Sequence, residues 1–360
     1  MFSNPERRDY TALSSPIKAL PCLCISPPMA EKSKPPAPRV DGDLMSSMKP
    51  KEWWLLIILS VFWGGSFFFV EVALLDFQPF TLVFLRIAIA ALILVGVVCL
   101  TGKRLPASFK TWSGYAVMGM LNNAIPFSLI VWGQTHIQSG VASILNATTP
   151  IFTVLLAHFL TSDERLTTKK IMGVVIGFAG VYLMMKPELT DGFSWRGLGQ
   201  AAVLGAAVSY SFAAIFGKRF KDIPAVVNSA GMLVCSSIIM LPLVIIIDSP
   251  WSLRPSLEAL SAVLGIAVIS TAFAYLLYFH LLATAGATNV LLVTFLIPIS
   301  ALLLGVGILG EALKILEYAG MGSIFLGLII IDGRASNLIK QLNRRRATGK
   351  IQEAASKAVS

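Results

Sequence analysis

Charge is what this chain has least of. Asp, Glu, Lys and Arg make up 13% of its 360 residues, hydrophobic residues make up 56%, and the mean hydropathy is +0.76. A soluble globular domain carries about 25% charged residues to cover its surface. The composition therefore excludes a water-soluble fold and requires an integral membrane protein. Cysteine is sparse as well. Cys22 and Cys24 stand in a polar segment, Cys99 and Cys235 in apolar runs, and no disulfide framework or zinc spacing results. The chain also lacks a glycine-rich phosphate loop followed by Lys, a His-Glu-x-x-His motif, and paired carboxylates within its apolar runs. Those absences argue against an enzyme, a metal centre and a bound cofactor.

Residues 1–50 are a different material from the rest. They hold nine of the nineteen prolines among Ser, Lys, Glu and Asp, with no sustained apolar stretch. Such a segment is expected to be a disordered cytoplasmic tail and lacks the apolar core of a signal peptide. A basic cytoplasmic tail is expected at 334–360.

Between the tails lie ten apolar runs, near 53–74, 78–100, 112–134, 139–160, 171–186, 197–216, 224–247, 259–282, 287–309 and 316–331. Most approach the twenty or so residues that a helix needs to cross the hydrocarbon core. The fifth and tenth are the shortest. Short connectors make consecutive spans antiparallel neighbours. Lys and Arg fall mainly on alternate connectors, sixteen on one set against four on the other. Basic connectors stay in the cytoplasm, so both termini are expected there, in a cell (inner) membrane. The net charge of +10 then reads as topology and attraction to anionic lipid, not nucleic-acid binding.

The two halves repeat. Gly119 and Gly140 recur as Gly265 and Gly286 at an offset of 146; Glu164, Gly173 and Gly180 recur as Glu311, Gly320 and Gly327 at 147; Pro150 recurs as Pro298 at 148. Trp63, Pro79 and Trp132 are matched by Tyr210, Pro224 and Tyr278. Five spans per half is an odd number, so the second half enters the membrane upside down. The expectation is an all-α membrane protein of ten transmembrane helices, built as two inverted five-helix repeats over 51–190 and 195–333. Inverted repeats suit alternating access, because exchanging the conformations of the halves reverses the open side.

The first span reads Phe62-Trp63-Gly64-Gly65-Ser66-Phe67, and in the second Pro79 precedes Arg86 by seven residues. The fourth and ninth end in Pro150...Asp163-Glu164-Arg165-Leu166 and Pro298...Gly310-Glu311-Ala312-Leu313, each Glu nine residues before the first Gly of a glycine-rich helix. In order and spacing these motifs resemble the EamA-like family of the drug/metabolite transporter superfamily, over residues 53–331. Two features depart from the family: Glu71 stands where a basic residue is common, and the amino-terminal tail is long. The resemblance implies secondary transport, chiefly export, of small metabolites such as amino acids across a bacterial-type plasma membrane. Two other readings stay open. One is a nucleotide-sugar or lipid-linked carrier of the wider superfamily, which a cavity rich in Lys and Arg would favour; the other is a non-transporting scaffold or receptor subunit.

A charged side chain inside the bilayer costs about 2.5–3.5 kcal/mol on insertion scales and must find a partner or water. Arg86 is the clearest case. Helical rise puts Glu71 only about 7–8 Å away in depth, so the two can form an ion pair; alternatively Arg86 anchors a substrate carboxylate or takes part in a proton site. Asn122, Asn123, Trp132 and Asn146, with Pro126 and Pro150, are expected to line a wet cavity, because backbone freed by proline is tolerated at membrane depth only against protein or water. Ser270, Thr271, Tyr275 and Tyr278 add to it from the eighth span, and Trp63 and Tyr210 are candidates to wall off a substrate. Glu71 and His280 are the candidates for coupling transport to a proton. Glu164 and Glu311 are expected to cap loops or pair with Arg165 and Lys314. The small-residue faces at Gly173, Gly177 and Gly180 and at Gly320, Ser323 and Gly327 suit close helix packing, within one chain or in a homodimer.

Overall fold

The computed structural model describes residues 48–161, 166–190 and 193–333. The described residues form helices in the order α1 (Pro50–Ala73), α2 (Pro79–Leu100), α3 (Phe109–Gln134), α4 (Ser139–Leu160), α5 (Thr168–Thr190), α6 (Trp195–Gly217), α7 (Ala225–Asp248), α8 (Leu257–Thr284), α9 (Ala287–Val290 and Val293–Gly307) and α10 (Ile315–Asp332). Nine are long and apolar enough to cross a membrane, and the shorter apolar part of α9 supplies the tenth. Proline, which has no N–H to lose in a first turn, opens α1 and α2. Ser194 and Ser256 cap α6 and α8 by accepting from Gly197 N (3.0 Å) and Ala259 N (3.2 Å). The two expected tails lie outside the described residues, apart from the few that lead into α1.

One length expectation is corrected. The fifth span is a full 23 residues, because the helix runs through the polar stretch from Lys186 to Thr190 that ended its apolar window. The short span is the ninth, interrupted at Leu291-Leu292 and continuing for 15 residues from Val293.

Helix pairing follows the repeat. α5 packs on α10 and α2 on α7, each helix on its own counterpart. The contact of α1 with α9 is answered by that of α6 with α4, and that of α3 with α6 by α8 with α1. Apolar side chains such as Leu92, Phe159 and Leu303 point outward, where lipid is as good a solvent as another helix. Close packing and hydrogen bonds must hold the bundle instead. At the α5–α10 seam a Cβ on Gly173 would lie 2.6 Å from Gly327 O, and one on Gly320 2.7 Å from Gly180 O, so only glycine permits that approach. Ser323 Oγ donates to Ile176 O across the seam at 2.8 Å. The small-residue faces thus meet each other inside one chain.

Several helices depart from α geometry partway along their length, and proline accounts for the departures in α3 and α4. Pro126 has no N–H for a carbonyl one turn back; α3 widens to a π-turn over Met120–Ala124, and Ser209 Oγ donates to Leu121 O at 2.7 Å. The matching region of α8, Gly265–Phe273, is also π-helical. In α4 the helix breaks between Asn146 and Thr149, and Thr149 Oγ1 donates to Asn146 O at 2.8 Å, the carbonyl that Pro150 cannot serve.

Candidate functional site

These irregular turns converge on a cavity of about 580 Å³ between the repeats. α3 contributes Asn122, α4 contributes Asn146 and Thr149 beside its break, and α8 contributes Ser270, Thr271 and Tyr275. Trp63 and Tyr278, repeat counterparts of Tyr210 and Trp132, pack ring to ring at 5.5 Å on one wall, and Tyr210 lines another. Asn122 Nδ2 donates to Tyr275 Oη at 3.0 Å, and Tyr275 Oη donates to Asn123 Oδ1 at 3.2 Å. Asn123 is fully buried behind this pair and donates to Ser236 Oγ at 3.1 Å. It holds the wall without lining the cavity. Asn146 Oδ1, Ser229 Oγ and Ser270 Oγ have no hydrogen-bond partner among the described residues. Buried polar atoms of that kind cost about 1–3 kcal/mol each unless water or a ligand reaches them.

Arg86 does not form the expected pair with Glu71. Its Nε donates to Thr271 Oγ1 at 3.0 Å and its guanidinium lies over Phe127, 3.7 Å from the ring centre. Glu71 instead accepts from Gln134 Nε2 at 3.3 Å. The depths were compatible, but the two side chains leave their helices in different directions. Trp132 is also not brought to the cavity; it packs edge-on against His136 at 4.8 Å. His280 is exposed near the end of α8, away from the cavity lining. Sequence reading passed over Asn228 and Ser229, which line the cavity from α7. Their signal was present, two adjacent polar residues one turn into an apolar helix.

The cavity opens toward one end of the bundle. Its lining continues to Gly217 at the end of α6 and Phe220 just beyond it, Ala225 at the start of α7, Leu282 near the end of α8 and Leu291 at the break in α9. The other end is shut by polar contacts between the repeats. Glu311, after α9, accepts from Ser139 N (2.8 Å) and Gly140 N (3.0 Å) at the start of α4. Asp248, ending α7, accepts from Thr81 N (2.6 Å) and Oγ1 (2.9 Å) in the first turn of α2. Asp76 accepts from Ser256 Oγ and N at the start of α8, and these two bonds hold its carboxyl below the usual carboxylate range. Each acid meets the free N–H groups and positive dipole end of a helix in the other repeat. Arg196 of α6 adds a charge contact to Glu188 of α5 at 2.9 Å and a close ion pair to buried Glu317 of α10. Gln134 also donates to Phe67 O at 2.9 Å, tying α3 to α1. So Glu311 caps a helix of the opposite repeat and does not pair with Lys314; Glu164 lies outside the described residues.

Matches to the EamA-like transporter family cover residues 51–186 and 197–332, one to each repeat. The chain belongs to the EamA-like transporter family. An uncharacterized transporter of Archaeoglobus fulgidus is 30% identical over 284 residues, 78% of this chain and 98% of that relative. The uncharacterized transporter YoaV of Bacillus subtilis is 26% identical, covering 77% of this chain and 92% of its own. The uncharacterized inner membrane transporter YedA of Escherichia coli (strain K12) is 23% identical, covering 77% and 89%. A solved structure, titled only as the crystal structure of a protein, shares the fold with a TM-score of 0.58 at 18% identity, covering 82% of this chain and 99% of that one. Membership makes this chain a multi-pass membrane transporter of the drug/metabolite type.

Proposed function

We propose that this EamA-like chain is a secondary-active carrier that moves small metabolites, of the size of amino acids and related compounds, by alternating access through the central cavity. One observation carries the reading: a cavity lined by irregular, partly unpaired polar groups is open at one end and shut at the other by contacts that join the two repeats. Because the repeats are inverted, the same kind of contact can form at the open end when the closed end parts. With both termini cytoplasmic, as the connector charges favour, the open end faces the cytoplasm and the cavity is loaded from inside, in keeping with export.

The test needs no known substrate. In a chain with its native cysteines replaced, Ala147, which lines the cavity, is changed to Cys and exposed to a membrane-impermeant thiol reagent from each side. Labelling is expected from the open end at once and from the closed end more slowly. A bifunctional crosslink between Cys residues placed at Asp76 and Ser256 is expected to abolish only the slow labelling. Labelling from one side alone, or slow labelling indifferent to the crosslink, would refute alternating access.

A further inference from the structure

We infer that the transported compound is an organic monoanion: one carboxylate, which docks on Arg86, attached to an apolar or aromatic body and carrying no ammonium group. The inference rests on the reading that the central cavity is the transport path, and it adds a substrate class to that reading. Among the described residues, the cavity lining contains no Asp, Glu, Lys or His, and Arg86 is its one charged group. Arg86 is 6% exposed, and no carboxylate lies within ion-pairing distance of it among the described residues. Its Nε is fixed by Thr271 and its face by Phe127. That leaves Nη1 and Nη2, which have no acceptor among the described residues. They form a planar two-donor edge of the kind that matches a carboxylate in bidentate fashion.

Charge balance then selects among ligands. A guanidinium kept in a low-dielectric cavity without a counter-ion is held at a cost, and a single negative charge removes it. A phosphate ester brings about −1.5 to −2 charges at pH 7, which one arginine leaves unneutralised; this weighs against sugar phosphates and nucleotide-linked sugars. An ammonium has no carboxylate to meet, and beside Arg86 it would be repelled. Beside the neutral amides and hydroxyls already described, the walls carry aromatic and aliphatic side chains: Trp63, Tyr278, Phe279, Met232 and Ile297. They suit an apolar body. A volume of about 580 Å³ holds a single-ring acid with room to spare.

The experiment uses the purified full chain in an uncharged detergent and four probes of matched ring: 3-phenylpropanoate, L-phenylalanine, 2-phenylethylamine and phenyl phosphate. Binding is read by the shift of the thermal unfolding midpoint against probe concentration. Saturable stabilisation by 3-phenylpropanoate is expected, with each other probe at least about tenfold weaker. Arg86→Met is expected to weaken 3-phenylpropanoate at least about tenfold. The order of the four probes on the unaltered protein decides the matter even if that variant fails to fold. Equal binding of L-phenylalanine, 2-phenylethylamine or phenyl phosphate would overturn the inference, as would no binding of 3-phenylpropanoate or unchanged binding by a folded Arg86→Met protein. Those results leave the two-sided labelling of Ala147→Cys untouched, so failure of the substrate class and failure of the carrier reading are told apart.

Discussion

Replacing Glu311 with alanine removes the carboxylate that joins the α9–α10 connector of the second repeat to the first turn of α4. The side chain accepts two backbone hydrogen bonds, from Ser139 N at 2.8 Å and Gly140 N at 3.0 Å. A hydrogen bond to a charged group contributes about 1.5–3 kcal/mol, and an acid at a helix amino terminus adds a few tenths more. Glu311 is half-buried, so water recovers part of the loss, and the net penalty is about 2–3 kcal/mol. The contact spans the seam that must part when the closed end opens. Its loss therefore raises the closed-end opening constant by roughly 30- to 150-fold, at about 1.4 kcal/mol per factor of ten. The assay is the labelling rate of Ala147→Cys from the closed-end side, with and without Glu311→Ala. Glu311→Gln keeps one acceptor oxygen and loses the charge, and is expected to give an increase of about tenfold or less. A folded Glu311→Ala protein whose closed-end labelling rate is unchanged would refute the assignment of this contact as a latch.

Gly305→Ala is expected to reproduce the Glu311→Ala labelling, because its new Cβ would lie 3.0 Å from Ser139 Oγ and 3.1 Å from Glu311 Cδ and displace the carboxylate; unchanged labelling would contradict this. Gly320→Val drives a branched side chain into Gly180 O, where even a Cβ is 2.7 Å away, and is expected to cost about 3 kcal/mol or more of stability in detergent unfolding. Tyr275→Phe deprives Asn123 of a donor and Asn122 of an acceptor, and a loss of about 1–3 kcal/mol is expected in the same assay. The Asp76 carboxyl is lowered by its bonds from Ser256. Its contribution is therefore present above the unfolded carboxylate pKa and fades as pH falls through the depressed value. Ser256→Ala is expected to raise the Asp76 titration toward the ordinary range, followed by NMR of a labelled sample.

The ten spans and the repeat were legible because lipid imposes them. A helix that satisfies its own backbone in hydrocarbon must show a long apolar run, and duplicated glycines and prolines survive as landmarks. The polar turns at Asn122, Asn146 and Thr271 were legible for the same reason, since such residues stand out in apolar helices. Direction around the helix axis was not. Helical rise sets the depths of Arg86 and Glu71 but says nothing about azimuth; one leans toward α8 and Phe127, the other toward Gln134. Trp132 and His280 failed in the same way, each on a face turned from the cavity. Hydropathy windows also cannot see a change of helical pitch, so the π-turns of α3 and α8 and the precise breaks in α4 and α9 emerged only from the backbone. The caps by Asp76, Asp248 and Glu311 join residues more than 160 positions apart, beyond any local pattern.

The central claim is that the two ends of the bundle open in opposition. It is tested most directly by measuring distances at both ends with spin-label pairs in reconstituted protein. One pair, at Leu75 and Leu257, spans the closed end where Asp76 caps α8; the other, at Lys110 and Thr284, spans the mouth between the start of α3 and the end of α8. Two populations are predicted for each pair, with short distances at the first accompanying long distances at the second and the reverse, in proportions that Glu311→Ala shifts at both ends together. A single fixed distance at both ends, or the two pairs lengthening together, would contradict the account.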